Sequence, residues 1–462
     1  MNLNKHPLTE GDIFSSLVLF SVPFLLTNIL QACYGASDLF MVGRFADSVG
    51  VSAVATGSQI MQMITSLAVG LTTGGTVLIA QHYGAKKVEK IAESTYTILI
   101  IFGIFALILT CFTILSVDKI CIWMHVPATA LKDTHDYLLI SSFGILFIVG
   151  FNTLGSILRG LGDSKTPFYL MVIACFINIS TDVLFVGVMK QGAQGSAVST
   201  VLAECVSLFL AAFILYKKGF ITKFRGMKTH FDSDSAKKVL SIGLPIACQE
   251  GLVNISFLII TSIINCMGIV ASAAVGVVEK LIVFSMLPVT AFASAVAAAS
   301  AQNYGAGLYK RAKRSMHIGI LLSMLFGLTF FLCAQIDSSK FLSIFSNDSQ
   351  VIQAGALYLR AYSFDCILVS FVFCMNSYFS GCGNSLFPLI HSLIATFFVR
   401  VPVSYIVSRI SGSTMFTLGL AAPMATFVSL VLCVVYMRKS KINIKKGNLN
   451  DNVSIKSRNL TC

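Results

Sequence analysis

Residues 80–85 read AQHYGA, and residues 301–306, which lie 221 positions later, read AQNYGA. The same shift places a second set of residues on identical residue types: Ser156, Gly160, Gly162, Ser164 and Pro167 correspond to Ser377, Gly381, Gly383, Ser385 and Pro388. A shift of 222 carries Pro23 onto Pro245. Chance does not give three landmarks nearly one offset across half a chain, so the sequence predicts two copies of one structural unit.

The hydropathy of the chain is typical of a membrane protein. Hydrophobic residues make up 56% of it and charged residues only 11%, whereas an ordinary soluble domain holds roughly 25% charged residues. A helix needs about 20 apolar residues to cross about 30 Å of hydrocarbon. Twelve stretches meet that need, at about residues 13–42, 51–80, 94–117, 136–158, 168–188, 196–216, 239–266, 272–302, 315–335, 354–377, 388–408 and 416–437. We therefore predict an all-α integral membrane protein with twelve transmembrane helices.

The repeat divides these spans into two lobes of six. Because six is an even number, both copies enter the membrane from the same side and are parallel repeats. A dense run of charged residues at 217–238 marks the junction. We predict an N-lobe at residues 1–225, a linker that continues to about 238, a C-lobe at 239–437 and a basic tail at 438–462. Two lobes that can move against one another are the usual plan of a secondary transporter.

The net charge of +13 arises mainly from the loops on one side of the membrane. With twelve spans both chain ends lie on that side, whose segments hold 24 of the 33 Lys and Arg residues, against six on the other side. The positive-inside rule places the richer side, and with it both termini, in the cytoplasm. The basic excess therefore reflects topology, and no nucleic-acid partner is expected.

Several function classes are excluded by motifs that the sequence lacks. There is no GxxxxGK[ST] phosphate-binding loop, so energy for transport is expected from an ion gradient rather than from ATP. The absence of HExxH, GxSxG and clustered histidines argues against an intramembrane enzyme. A channel is disfavoured because the polar residues of the two copies do not match as symmetric filter rings do. No cofactor is expected beyond the coupling ion, H⁺ or Na⁺.

Six carboxylates fall inside the predicted spans. They are Asp38, Asp182, Glu204, Glu250, Glu279 and Asp365. Each costs about 2.5 to 3.5 kcal/mol at a helix centre, so each is expected to face a cavity or a partner. Function is the default interpretation of such residues. The alternative is that some pair with the intramembrane Lys280, Arg360 or Arg400 and hold helices together.

The first span carries one polar stripe. Its members recur at three- and four-residue spacing and are Asn28, Gln31, Gly35 and Asp38, with Tyr34 one turn before Asp38. Pro23 removes a backbone hydrogen bond and can bend this helix. A helix that can bend and that holds a buried acid is suited to a protonation switch.

Two further polar groups lie in the fifth and sixth spans. Asn178 and Asp182 stand at i and i+4, and Ser196, Thr200 and Glu204 form a second ladder. Carboxylate, amide and hydroxyl oxygens suit Na⁺, or a proton held on a desolvated carboxylate. The alternative is that the hydroxyls only bond across helix interfaces.

The second copy does not reproduce this set of residues. Asn178 and Asp182 correspond to Val399 and Val403, and the polar residues of the C-lobe are instead Gln249, Glu250, Asn254 and Glu279. We therefore expect ion coupling to be concentrated in the first lobe.

Several motifs resemble the multidrug and toxic compound extrusion (MATE) transporters over the chain to about residue 437. They are Pro23, the DLFMVGR run at 38–44, the two AQxYGA motifs, RGLGD at 159–163 and GLAAP at 419–423. The resemblance implies two six-helix lobes around a central cleft, and export of lipophilic organic cations in exchange for H⁺ or Na⁺.

Within the family, the first lobe is similar to the DinF-like branch. That similarity implies a proton or Na⁺ site at Asp38, Asn178, Asp182 and Thr200, joined by Tyr137 of the fourth span. A substrate cleft is expected to include Gln31, Tyr34, Glu250, Asn254, Glu279, Asp365 and Arg400. Glu250 and Asp365 resemble a second branch, which is marked by acids of the C-lobe.

The resulting hypothesis is antiport by alternating access, with a bend at Pro23 when Asp38 and Asp182 take up the ion. The alternative function is a flippase of lipid-linked substrates on the same general fold, which requires several Arg or Lys residues in the cleft to hold phosphates. A monomer in a bacterial plasma membrane is expected.

Overall fold

The computed structural model describes residues 8–46, 48–219, 230–410, 412 and 414–458, with side chains as far as residue 439. All regular structure in these residues is helical, and twelve helices are long and apolar enough to cross a membrane. The first six are α1 (Ile13–Phe45), α2 (Ser48–Gly84), α3 (Val88–Trp123), α4 (Leu131–Gly160), α5 (Lys165–Val188) and α6 (Gly192–Lys217). The second six are α7 (Ser233–Asn265), α8 (Ile269–Gly305), α9 (Tyr309–Ser343), α10 (Ser349–Gly381), α11 (Leu386–Arg409) and α12 (Met415–Lys439), the last continuing as a helix to Arg458.

The predicted all-α architecture with twelve spans is confirmed, but most helices are longer than predicted. The third span, expected at 94–117, is a helix of 36 residues, Val88–Trp123. Its first turns carry Glu89, Lys90 and Glu93, which no hydropathy criterion assigns to a membrane span. Charged residues are good helix formers in water, so the helix continues beyond the hydrocarbon. Apolar length therefore underestimates helix length.

Helix α1 contacts both lobes. Leu17 and Phe20 in its first half pack on Ala295 and Ala298 of α8. The first half is also joined to α8 by a hydrogen bond of 3.0 Å from the amide of Asn28 to the hydroxyl of Thr290. The second half packs within the N-lobe, against α2, α4, α5 and α6. Helix α1 therefore connects the two lobes, and a movement of one lobe against the other must change the contacts of α1 with at least one of them.

Helix α7, the repeat counterpart of α1, has the reverse attachment. Val239 and Ala247 in its first half pack on Leu71 of α2 in the N-lobe, whereas Ile260 and Ile264 in its second half belong to the C-lobe core. The two first helices are thus exchanged between the lobes at one end of the protein. That end carries the AQxYGA turns and is called the basic end here, because Lys86, Lys87 and residues 310–314 lie beside those turns.

The repeated glutamines join the lobes through two reciprocal hydrogen bonds at the basic end. The amide of Gln81 in α2 donates to the carbonyl of Gly381 at 2.8 Å. The amide of Gln302 in α8 donates to the carbonyl of Gly160 at 2.9 Å. Both bonds are buried. Gly160 and Gly381 are themselves repeat counterparts. The AQxYGA motif of each lobe therefore binds the corresponding glycine of the other lobe.

The repeated glycines allow α2 and α8 to cross in backbone contact. A Cβ atom on Gly84 would lie 1.9 Å from the carbonyl oxygen of Gln302, and one on Gly305 would lie 2.0 Å from that of Gln81. No side chain fits at either position. These two glycines and the two glutamine hydrogen bonds are called the crossing below. In this structure the crossing closes the basic end of the interface between the lobes.

We expect Gly84→Ala to destabilise this closed arrangement by about 1 to 3 kcal/mol, the usual cost of overpacking. The measurement is thermal unfolding of the purified protein in detergent, where the midpoint should fall. Gly103→Ala is the matched control, because a Cβ on Gly103 of α3 meets no atom within 4 Å. Equal midpoints for the two variants would contradict the close contact.

Candidate functional site

The N-lobe gathers its predicted polar residues where α1, α5 and α6 meet. The carboxylate of Asp38 is 5% exposed and accepts a hydrogen bond of 3.2 Å from the hydroxyl of Thr200. Asn178 and Asp182 of α5 are fully buried and are immediate neighbours of Asp38. The hydroxyl of Tyr34 donates to the backbone carbonyl of Thr200 at 3.4 Å. The structure thus brings together Asp38, Asn178, Asp182 and Thr200.

Most polar atoms of this cluster have no hydrogen-bond partner among the described residues. One oxygen of Asp38, both oxygens of Asp182 and both polar atoms of Asn178 are buried and form no hydrogen bond of good geometry, although Asp38 lies next to Asn178 and Asp182 and Ser199 lies next to Asp182. A buried polar group without a partner costs about 1 to 3 kcal/mol, and more if it is charged. Native proteins satisfy more than about nine in ten of such groups. The concentration of such atoms at one point makes this cluster the candidate site of the N-lobe.

Tyr137 of α4, which the family resemblance adds to the site, lies next to the cluster. Its ring is 3% exposed, packs with Val42, Val54 and Ala197, and interacts electrostatically with Asp38 and Asp182. Gly57 of α2 makes room for the ring, because a Cβ there would lie 2.3 Å from the Cδ1 atom of Tyr137. Nothing in the sequence indicated that Gly57 positions a site residue.

The residues present fit a small cation or a proton. Two adjacent carboxylates that are buried together repel one another, and the repulsion is relieved when they share positive charge. The carboxylate oxygens of Asp38 and Asp182 and the amide oxygen of Asn178 are hard donors of the type that Na⁺ binds. The hydroxyl of Thr200 donates to Asp38 and so stabilises its anionic form before the ion arrives.

Two further polar residues of α6, Ser196 and Glu204, are also candidates for the site. The hydroxyl of Ser196 is fully buried without a partner among the described residues, on the face of α6 that carries Thr200. Glu204 is half-buried and is an electrostatic neighbour of Tyr34.

The backbone at the site is irregular, since α5 changes to a π-helix at Val183–Val188 directly after Asp182. Such widened turns occur frequently at functional sites, and no sequence pattern predicted this one.

The C-lobe holds a second polar cluster of different chemistry. The guanidinium of Arg400 lies 4.3 Å from the ring centroid of Phe257 and interacts electrostatically with Glu279 and Asp365. Asp365 is 4% exposed with one unpaired oxygen, and Glu279 is half-buried. Of the residues predicted for the substrate cleft, the structure therefore brings together Arg400, Glu279 and Asp365.

The remaining predicted cleft residues do not join either cluster through a hydrogen bond. Gln31 and Glu250 are exposed and Asn254 is half-buried. Glu250 lies on α7 and Gln31 on α1, the two helices that are exchanged between the lobes. Among the described residues, none of the six intramembrane carboxylates has a basic partner within 4.0 Å. The alternative that these acids serve as helix-joining ion pairs is therefore not seen.

The fold and these clusters define a class of protein. Twelve spans in two repeated lobes, with buried charges within the spans, are the construction of a secondary transporter. The chain belongs to the MatE family, whose profile it matches twice, over residues 23–184 and 245–406. The two matched stretches begin 222 positions apart, which is the shift that carries Pro23 onto Pro245. Members of this family are transporters rather than enzymes.

Relatives with curated names cover between 65% and 94% of the chain in two examples. One is the probable multidrug resistance protein YoeA of Bacillus subtilis, 26% identical over 94% of this chain and 97% of its own length. Another is the DNA damage-inducible protein F of Escherichia coli, 27% identical over 65% of each chain. A crystal structure of MATE in the bent conformation superposes with a TM-score of 0.87 at 20% identity, over 95% of this chain and 98% of that one. At that identity the superposition supports the fold alone.

We expect Asp182→Asn to raise the stability of the protein by about 1 to 3 kcal/mol in sodium-free buffer at about pH 8, because it removes one of two adjacent buried charges. Thermal unfolding measures this change.

The matched control is Asp163→Asn, at an aspartate that has a partner. Burial opposes ionisation of Asp163, but hydrogen bonds from Lys218 at 2.5 Å and from Thr166 outweigh it and hold its pKa below the usual value. A lowered pKa means that the ionised form stabilises the fold at about pH 8. The control should therefore lower stability, and a loss of stability in both variants would argue against charge repulsion at Asp182.

Proposed function

We propose that the protein is a multidrug exporter that moves lipophilic organic cations out of the cell in exchange for H⁺ or Na⁺ by alternating access. One observation carries this proposal: the buried carboxylates of Asp38, on α1, and Asp182, on α5, are neighbours, and the other half of α1 is attached to the opposite lobe. The names of the relatives support the drug-export part of the proposal.

The coupling follows from the two attachments of α1. When bound, the ion neutralises the repulsion between Asp38 and Asp182. These residues can then draw α1 and α5 together. The movement reaches the C-lobe through Asn28 and through the contacts of Phe20 with α8. Because Pro23 lacks an amide hydrogen, α1 can bend between Phe20 and Asn28. Ion and drug each weaken the binding of the other by the same factor.

The substrate class is proposed from the charges within the helices. Glu250 is exposed on α7 and Glu204 is half-buried on α6, and the Arg400 cluster holds two carboxylates for one guanidinium. This excess of negative charge favours cations, and the apolar residues around it favour lipophilic ones. The protein is a multi-pass plasma membrane protein, and we propose that the basic end and both termini face the cytoplasm and that it acts as a monomer.

A flippase of lipid-linked substrates is not favoured. It requires several basic residues in the cleft, and only Lys280, Arg360 and Arg400 lie within the apolar stretches predicted from the sequence. Arg360 donates to the hydroxyl of Ser338 on α9 and Lys280 is exposed. Only Arg400 belongs to a polar cluster, and there it faces Glu279 and Asp365, which compete with a phosphate.

We expect Asp38→Asn to abolish ion-coupled efflux. Asparagine has no carboxylate, so the variant cannot take up H⁺ or bind Na⁺ at this position of α1. The measurement is export of ethidium by proteoliposomes with pH and Na⁺ gradients imposed separately, which also identifies the ion. Asp118→Asn, at an exposed aspartate of α3 that belongs to neither polar cluster, is the control and should keep at least half of the activity. Normal export by Asp38→Asn at equal expression would contradict the assignment of Asp38 as a coupling residue.

Pro23→Ala should slow transport several-fold, because it restores the hydrogen bond to Leu19 and stiffens α1. Equilibrium binding of ethidium should change less than twofold. Pro288→Ala in α8, a proline that lies outside α1, serves as the control. A Pro23→Ala variant with unchanged turnover would show that bending at this residue is not part of the cycle.

A further inference from the structure

The C-lobe has a lateral groove that the transport mechanism does not use. It has a volume of about 350 Å³ and lies between α9, α10 and α12, away from both polar clusters. Its walls are apolar, and four of the ten lining residues are methionines: Met316, Met324, Met375 and Met437. Methionine side chains adapt to occupants of variable shape. The groove is therefore suited to a flexible hydrocarbon chain.

The mouth of the groove is basic. On α9 the lining residues His317, Leu321 and Met324 share one face with Arg314, which lies one turn nearer to the basic end. On α12 the lining residues Leu430, Val434 and Met437 lead in the same direction to Arg438. His317, Arg314 and Arg438 are exposed. Cations on two helices thus converge where the apolar groove ends.

Among the described residues, no carboxylate lies within 4.0 Å of the guanidinium of Arg314 or of Arg438. The sequence has neither Asp nor Glu from residue 309 to 336, nor from 366 to 439, and these ranges include all the groove residues. Three lysines of the described structure have acidic partners, one of them Lys340 with Asp337 at 2.9 Å. The two arginines are therefore available to an external anion, and the apolar groove beneath them requires that this anion carry a hydrocarbon chain.

We propose that this groove is a binding site for an anionic phospholipid, with one acyl chain in the groove and the headgroup phosphate at Arg314 and Arg438. Basic pockets between spans on one face of the membrane are where anionic headgroups bind. With the proposed topology, the lipid belongs to the cytoplasmic leaflet. The site lies on α9 and α12 and is separate from the ion and drug sites, so its occupancy is measurable without transport.

The test is native mass spectrometry of the full chain, purified in detergent with phosphatidylglycerol or phosphatidylcholine. The wild type should retain phosphatidylglycerol at least tenfold more strongly than phosphatidylcholine. The double variant Arg314→Gln with Arg438→Gln should lose that preference. Arg409→Gln, an exposed arginine at the opposite end of the C-lobe, is the matched control and should keep it. sn-Glycerol 3-phosphate, a headgroup without chains, should not compete.

Filling the groove separates this site from simple surface attraction. Val434→Trp, with Leu430→Trp as a second variant, leaves every charge in place and should also abolish retention of phosphatidylglycerol. Equal retention of the two lipids by the wild type would overturn the proposal. Unchanged retention by both groove-filled variants would overturn it as well, and displacement of phosphatidylglycerol by ethidium would assign the groove to the drug pathway instead.

Discussion

The backbone contact between α2 and α8 at Gly84 and Gly305 is the constraint on which the arrangement of the lobes depends. It brings two carbonyls and two helix ends so close that only glycine fits at either position. The glutamine hydrogen bonds on either side are each worth about 0.5 to 1.5 kcal/mol net. Hydrogen bonds of this strength hold the lobes in the closed arrangement, and they are weak enough to be broken when the lobes separate. A pair of reciprocal contacts of this strength suits a gate that must open in every cycle.

The exchange of α1 and α7 between the lobes links this gate to the chemistry of the N-lobe. Asp38 lies in the half of α1 that belongs to the N-lobe, while Phe20 and Asn28 lie in the half attached to α8. A change of charge at Asp38 therefore acts on a helix that already spans the interface. The C-lobe has the same frame, but its Arg400 cluster already contains a cation.

The sequence was sufficient for the fold because the repeat and the hydropathy report constraints that act on the whole chain. Apolar length identified all twelve spans, and the 221-residue shift identified the two copies. The sequence was less informative about the candidate site. Asp38, Asn178, Asp182 and Thr200 were predicted from a family resemblance and i, i+4 spacing. The role of Gly57 and the π-helix after Asp182 depend on packing between helices far apart in sequence, which spacing within one helix does not contain.

The most direct test of the account is the distance between the two AQxYGA turns. Spin labels can be placed at Ala85 and Ala306 as unnatural amino acids, since the chain has thirteen native cysteines. Double electron–electron resonance should give one short distance when the crossing is closed and a second, longer one whose population grows when drug is added and falls when the coupling ion is added. A single distance that neither drug nor ion changes would contradict the proposed gate.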